Sequence, residues 1–434
     1  MLNFYNIYKI YIVMTARYDI FFKLYNIGSP RNLLTNGPDE PIMKTFTSPY
    51  TYINPFATNA NLNPSFPPQM FNGSQLVSLY NVHAVPVASG KKQVKIAIII
   101  AFTYSGLLAD LKTYWQNNIN FGPNSTPPKV NVYTMPGATF NAGWAQEECL
   151  DLQMVCTMNP NANIWVVEAK SDKITDLLAA VDYATGTLQA DVLSMSWGIN
   201  DSTGFLSYNN RFTNTNVCYC AASGDSNNAS WPSVMSNCIS VGGTTLLWTP
   251  NSTTPRTEYT WNNAGCGYAA SVLQPTYQQN ISGIAKTMRA IPDVSMVANQ
   301  NTGVYIVYRG MWYSFGGTSV AAPLFASILS LANQQRFNQG KGALTTVYSK
   351  TPNVSVPSSY VPPPNNVQQY LYKNIYTSNK YASDFYDVAI GSNKGSVNGN
   401  SAMLTTYNAG AKYDLTTGLG SPNCKNLCND LLLI

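Results

Sequence analysis

A serine at a helix start and a handful of carboxylates are the residues of this 434-residue chain that could do chemistry together. Ser319 closes the run Gly316-Gly317-Thr318-Ser319, ahead of an apolar stretch that the periodicity predicts as a helix over 318–335. A serine hydroxyl is a weak nucleophile until a neighbouring base takes its proton, and the first turn of a helix adds free backbone N–H groups beside it. Alone, the four residues also read as a helix cap. The usual base is imidazole, but the single histidine, His83, precedes the first core strand and reads as structural. A carboxylate is then the alternative base. Glu147 and Asp151 are four apart on an expected helix, so they share a face and can share a proton, although an exposed acidic patch has the same spacing. Asp225 follows a strand in Ser223-Gly224-Asp225-Ser226, at the end where α/β sites collect; an Asp-Ser turn is the plainer reading. Asp387 and Asp414 flank a Gly- and Asn-rich loop whose carbonyls suit a hard cation, or are two turn aspartates.

The elements that must position these groups are legible as alternation. Short apolar runs at 95–100, 164–169, 192–196, 217–222 and 238–241 read as strands, and longer patterns at 104–118, 144–157, 174–185 and 318–335 read as helices. That order predicts an α/β fold with a largely parallel central sheet covered by helices. Residues 1–67 lack sustained periodicity and are expected to form an irregular extension, leaving 68–434 as the main domain. The stretch from Met1 to Val13 is interrupted by Asn3, Asn6 and Lys9 where a signal peptide would be continuously apolar, and Met14 is an alternative start.

Composition removes several classes of function. The net charge of +5 is spread thinly, with no basic run or aromatic-interleaved stripe, so nucleic-acid binding is not expected. The longest apolar run, 96–102, is far short of the roughly 20 residues of a membrane span. Eight cysteines form no paired CxxC pattern, and with one histidine they make a poor zinc set. Their even number permits disulfides without requiring them.

Taken in chain order, the segments resemble the sedolisins, serine-carboxyl peptidases with a subtilisin-like three-layer fold. The resemblance runs from about Gln69 to Asn423 and rests on Glu147-xxx-Asp151, Ser194-Met-Ser196-Trp197-Gly198, Ser223-Gly224-Asp225-Ser226, Val241-Gly242-Gly243-Thr244-Thr245, Arg289-Ala-Ile-Pro292-Asp293-Val294, Gly316-Gly317-Thr318-Ser319-x-x-Ala322-Pro323, Phe385-Tyr-Asp387-Val388 and Gly410-Ala-Lys412-Tyr-Asp414 with Gly418-Leu-Gly420-Ser-Pro422. It implies Ser319 as nucleophile, Glu147 as general base, Asp151 as the residue that orients and shares a proton with it, and Asp225 as oxyanion donor. Glu148 is the neighbour that this spacing sets aside. Asp225 donates only when protonated, so activity is expected at acid pH. The resemblance also implies one Ca²⁺ held by Asp387 and Asp414 with the carbonyls of Val388, Gly410 and Lys412, and peptide or protein substrates acted on by a monomer. Secretion, an acidic compartment or a virion would each fit.

Three departures from the family pattern stand out. The sequence ahead of Gln69 is too short for the large folded propeptide of many sedolisins. Ile100 occupies the position where some members extend the catalytic network with a Glu, although the accompanying Trp197 is present. Lys412 stands at a calcium position where glycine is common. The alternative reading is a catalytically silent relative with a structural or binding role, for example in a virion, and a histidine-dependent hydrolase using His83 is a third. Endopeptidase and tripeptidyl-peptidase readings both remain open.

Overall fold

Why the core strands read so clearly is evident in the strand Lys95–Ala101, where every side chain from Ile96 to Ala101 is 1% exposed or less. A parallel strand covered on both faces has no solvent side, so it is apolar throughout instead of alternating. The computed structural model describes residues 40–45, 48–52, 70–117, 125–249, 256–351, 360–397 and 403–434. In chain order the first half forms β1 (Lys44–Thr45), β2 (Ser48–Tyr52), α1 (Gly73–Leu79), β3 (Lys95–Ala101), α2 (Leu107–Asn117), β4 (Val130–Thr134), α3 (Ala142–Met158), β5 (Asn163–Ala169) and α4 (Ile174–Asp182). There follow β6 (Val192–Met195), β7 (Trp197–Asn200), β8 (Cys218–Ala222), β9 (Ser230–Trp231), β10 (Cys238–Leu247), β11 (Thr257–Thr260), β12 (Gly267–Leu273) and β13 (Met288–Ile291). Then come β14 (Val294–Val297), β15 (Val304–Tyr308), β16 (Met311–Gly316) and α5 (Thr318–Asn338).

The central sheet has eight strands in the order β11-β10-β8-β6-β3-β5-β4, with β14 on β10, and every pair is parallel except β10–β11. Helices cover it: α3 and α5 pack on each other and on β3, while α4 packs on β3 and β5. The expected α/β, subtilisin-like three-layer architecture is therefore what the chain adopts. All nine expected strands and helices are present with ends shifted by a few residues, and 174–185 is a helix to Asp182 that widens into a π-turn at Tyr183–Thr187.

Residues Pro41–Ile434 form one compact unit. The expected extension, 1–67, lies outside the described residues except for 40–45 and 48–52. There β1 pairs antiparallel with β7, Lys44 opposite Gly198 and Thr45 opposite Trp197. β2 pairs antiparallel with β16, Ser48 opposite Gly316. Among the described residues no helix is long and apolar enough to cross a membrane.

Candidate active site

The helix that carries Ser319 starts abruptly. Gly317 caps it at φ 117° and ψ 160°, a region essentially reserved for glycine, and a Cβ on Gly316 would sit 2.4 Å from the Gln300 backbone. Ser319 is fully buried, and its Oγ donates to the Ser196 carbonyl at 3.1 Å. Pro323, four residues on, has no N–H to give the Ser319 carbonyl. The Ser196 hydroxyl approaches that freed carbonyl at 3.4 Å and makes its shorter bond, 2.7 Å, to Asp151 Oδ1. Ser196 thus joins the Ser319 backbone to the Asp151 carboxyl at the end of β6.

Asp151 lies on α3, which begins at Asn141, whose side chain accepts from the N–H groups of Gly143 and Trp144 at 3.0 and 3.2 Å, a cap worth about 1 kcal/mol. From Trp144 to Met158 all but Gln146 is buried, so this is a central helix and not the amphipathic surface helix that would carry an acidic patch. Glu147 and Asp151 are 0% exposed, one turn apart on one face. Burial holds the Asp151 carboxyl well above its usual range, against the pull of the Ser196 hydroxyl.

Asp225 reaches the same place from the other side. After β8 the chain turns at Gly224, φ 112°, where a Cβ would lie 2.4 Å from Ser230 Oγ. Asp225 Oδ1 accepts from the N–H and the Oγ1 of Thr318, both at 2.8 Å, next door to the nucleophile. Its Oδ2 is shielded from solvent and has no hydrogen-bond partner. Burial pushes this carboxyl up to about 7, outweighing the two bonds from Thr318.

Sequence reasoning passed over a further carboxylate here. Glu168 is the next-to-last residue of β5, 1% exposed, and its signal was a single charge in the strand Asn163–Ala169, apolar from Ile164 to Val167. It stands beside Ile100 in the ladder, and burial, with the charge of Glu168 next, holds the Glu148 carboxyl well above its usual range. Trp197 Nε1 donates to the Ile99 carbonyl at 2.9 Å. His83 lies apart from these groups, its Nε2 2.7 Å from the side-chain amide of Gln335, in the last turns of α5.

The candidate calcium ligands come together in the C-terminal loops. Asp387 accepts from the Lys412 N–H at 2.9 Å and the Tyr381 hydroxyl at 3.1 Å; Asp414 accepts from the Gly410 N–H at 3.2 Å and from Thr416 and Thr417. The Val388 carbonyl accepts from Thr417 Oγ1 at 3.4 Å. Here the N–H groups of 410 and 412 face the carboxylates, taking lone pairs that a cation would take. The donor set nonetheless fits a hard cation: it is all oxygen, and among the described residues neither aspartate has an ion pair, Lys412 Nζ lying instead over the Tyr376 and Tyr381 rings at 5.4 and 5.8 Å. No three His, Cys, Asp or Glu side chains among the described residues form a metal set, so such a site rests on two carboxylates and carbonyls.

Comparison with known proteins bears on the family and the fold. Residues 137–354, half of the chain, match the subtilase (Peptidase_S8) family model. Sedolisin of Pseudomonas sp. is 30% identical over 185 residues, 40% of this chain and 29% of the relative. Kumamolisin of Bacillus sp. is 26% identical over 332 residues, 68% and 53%, and tripeptidyl-peptidase 1 of Dictyostelium discoideum is 24% identical over 338 residues, 69% and 49%. The chain thus spans about half or less of the curated relatives it matches. Pseudomonas sedolisin, solved in complex with two molecules of pseudo-iodotyrostatin, superposes with a TM-score of 0.64 at 23% identity, over 83% of this chain and 97% of that one. The chain belongs to the subtilase family and is a subtilisin-like protein of the sedolisin type.

Proposed function

We propose that the protein is a serine-carboxyl peptidase that hydrolyses peptide bonds at acid pH through an acyl-enzyme on Ser319. The observation that carries this reading is the buried path from the nucleophile to a carboxylate helix: Ser319 bonds Ser196, and Ser196 bonds Asp151 one turn from Glu147. In the mechanism Glu147 takes the Ser319 proton as Oγ attacks the scissile carbonyl, and Asp151 orients Glu147 and takes part of the charge. The departing amine is protonated by the same pair, and water reverses the sequence on the acyl-enzyme. Neutral Asp225 donates from its free oxygen toward the oxyanion, in a site dry enough for that bond to count. One bound Ca²⁺, held by Asp387, Asp414 and the carbonyls of Val388, Gly410 and Lys412, would supply a charge that ties these loops together; no chemical step involves it. The test is cleavage of a peptide library at acid pH by the parent and by Ser319→Ala. Cleavage by both, or by neither, refutes the assignment, and product lengths separate endopeptidase from tripeptidyl release.

A second reading, a silent relative with a binding role, is favoured by one observation: Ser319 Oγ donates to a carbonyl in this structure, a bond that must be exchanged before the hydroxyl can be activated.

A further inference from the structure

β15 is the outer strand of the three-stranded sheet β15-β16-β2, and an outer strand leaves a row of backbone groups without ladder partners. Here that row is closed from the body of the protein. Phe71 takes its start, donating to the Gly303 carbonyl at 2.9 Å and accepting from the Tyr305 N–H at 3.1 Å. Asp110 of α2 takes its end, accepting from the N–H groups of Arg309 and Gly310, both at 2.7 Å. Between them stands Gln153 of α3, 0% exposed: its Nε2 donates to the Val307 carbonyl at 2.7 Å and its Oε1 accepts from the Val307 N–H at 2.8 Å. A backbone unit offers one donor and one acceptor, and a carboxamide answers both, where a carboxylate or an ammonium answers only one.

Gln153 is two residues from Asp151, a rotation of about 200° around the helix, so the two side chains leave α3 on opposite sides. Asp151 meets the Ser196 hydroxyl at 2.7 Å, beside Ser319. Gln153 meets β15, which is paired with β16 from Val304 opposite Phe315 to Tyr308 opposite Met311. β16 ends at Gly316, three residues before the nucleophile, and its other edge holds β2. The helix of the proposed base is therefore clamped between the surroundings of Ser319 and the hairpin that receives a strand. Lys44–Thr45 on β7 precede Ser48–Tyr52 on β16, so a peptide running in the same direction lays its leaving-group side on β16.

We propose that Gln153 is a positioning residue that couples the strand laid on β16 to the placement of the Glu147/Asp151 pair, so that substrate residues on the leaving-group side raise kcat and not affinity alone. This inference rests on the assignment of Glu147 and Asp151 made above. Reacting groups tolerate little error, about 10²-fold in rate for 1 Å, so a small shift of α3 is enough.

The test compares two peptides identical up to and including the first residue after the scissile bond, one of which continues for five more residues, the length of β2. In the parent the continuation is expected to raise kcat at least about tenfold at acid pH. Gln153→Met keeps the side chain's bulk and loses both hydrogen bonds; it should keep the fall in KM that the continuation brings and lose the gain in kcat. Gln153→Glu carries a carboxyl that both donates and accepts when neutral, so the gain should return at low pH and fade as that carboxyl ionises. A role in packing alone would lower Tm and leave the ratio of the two kcat values unchanged. A parent that gains nothing in kcat from the continuation, or folded variants that keep the parent's ratio, overturn the proposal. The coupling can also be read without turnover, by hydrogen exchange in the Ser319→Ala background. There the continued peptide should slow exchange in both β16 and α3, and in β16 alone once Gln153→Met is added. Slowing of α3 that survives Gln153→Met, or is absent before it, refutes the coupling whether or not the chain is a peptidase.

Discussion

Replacing Asp225 with asparagine tests the mechanism at the point where its pH dependence originates. Burial raises the Asp225 carboxyl to about 7, against an ordinary value near 3.8, so ionising it in the folded protein costs about 4 kcal/mol more than in water. Below pH 7 the group is neutral and can donate from Oδ2. Above it, the neutral fraction falls to about a tenth at pH 8 and about a hundredth at pH 9, and kcat/KM for a fluorogenic peptide should fall with it. Stability moves in the same direction through a different window. The folded state holds this proton more tightly than the unfolded chain, so its contribution is complete below about pH 4 and is lost as pH rises to 7. An asparagine amide at this position is neutral at every pH and retains an N–H donor. Asp225→Asn should therefore lose the alkaline limb while its rate at pH 5 drops by about 10²–10³, the cost of a misplaced oxyanion donor. A variant that keeps the parent's alkaline midpoint would show that another group sets it, and Asp225 would lose its role.

Three other perturbations probe the supports of the site. Gly317→Ala forces a side chain into φ 117°, at a cost of about 1–3 kcal/mol; a lower Tm together with lost activity is expected, and an unchanged Tm contradicts the described cap. Ser196→Ala removes the bridge between Asp151 and the Ser319 carbonyl; burst-phase kinetics should show acylation slowed by at least tenfold with KM little changed, and an unaffected burst rate argues against the path. Adding Ca²⁺ should raise Tm and chelation reverse it, with Asp414→Asn blunting the response; a Tm indifferent to both removes the proposed ion.

Most of the scaffold was legible because burial on two faces writes itself as uninterrupted apolar runs, as in β3 and β5. What escaped has identifiable physical causes. β10 continues past Val241 through Gly242 and Gly243, where the sequence reading stopped, because glycine is a poor strand signal. The sheet needs those glycines: a Cβ at 242 would lie 2.5 Å from Ser295 Oγ, and one at 243 the same distance from the Ala298 Cβ. β4 was missed because Val130–Thr134 is a half-exposed edge strand with no buried residue. At the site, the spacing of Glu147 and Asp151 gave a shared helix face but could not say that the helix is buried on every side. The place of Glu168 beside Ile100 and Thr134 follows only from the register of β5 against β3 and β4, which no single segment of sequence records.

The antiparallel contacts of residues 44–45 and 48–52 bear on how a substrate gets in. β7 begins one residue after Ser196, and β16 ends three residues before Ser319, so these two backbones form the rails on either side of the nucleophile. A polypeptide stretched across Ser319 would find the free edge of each rail already taken by the protein's own chain. Entry is then a contest between an outside peptide and a strand of the same chain, which competes without having to diffuse in. Saturation would accordingly track the hold of that internal strand as much as the fit of the visitor.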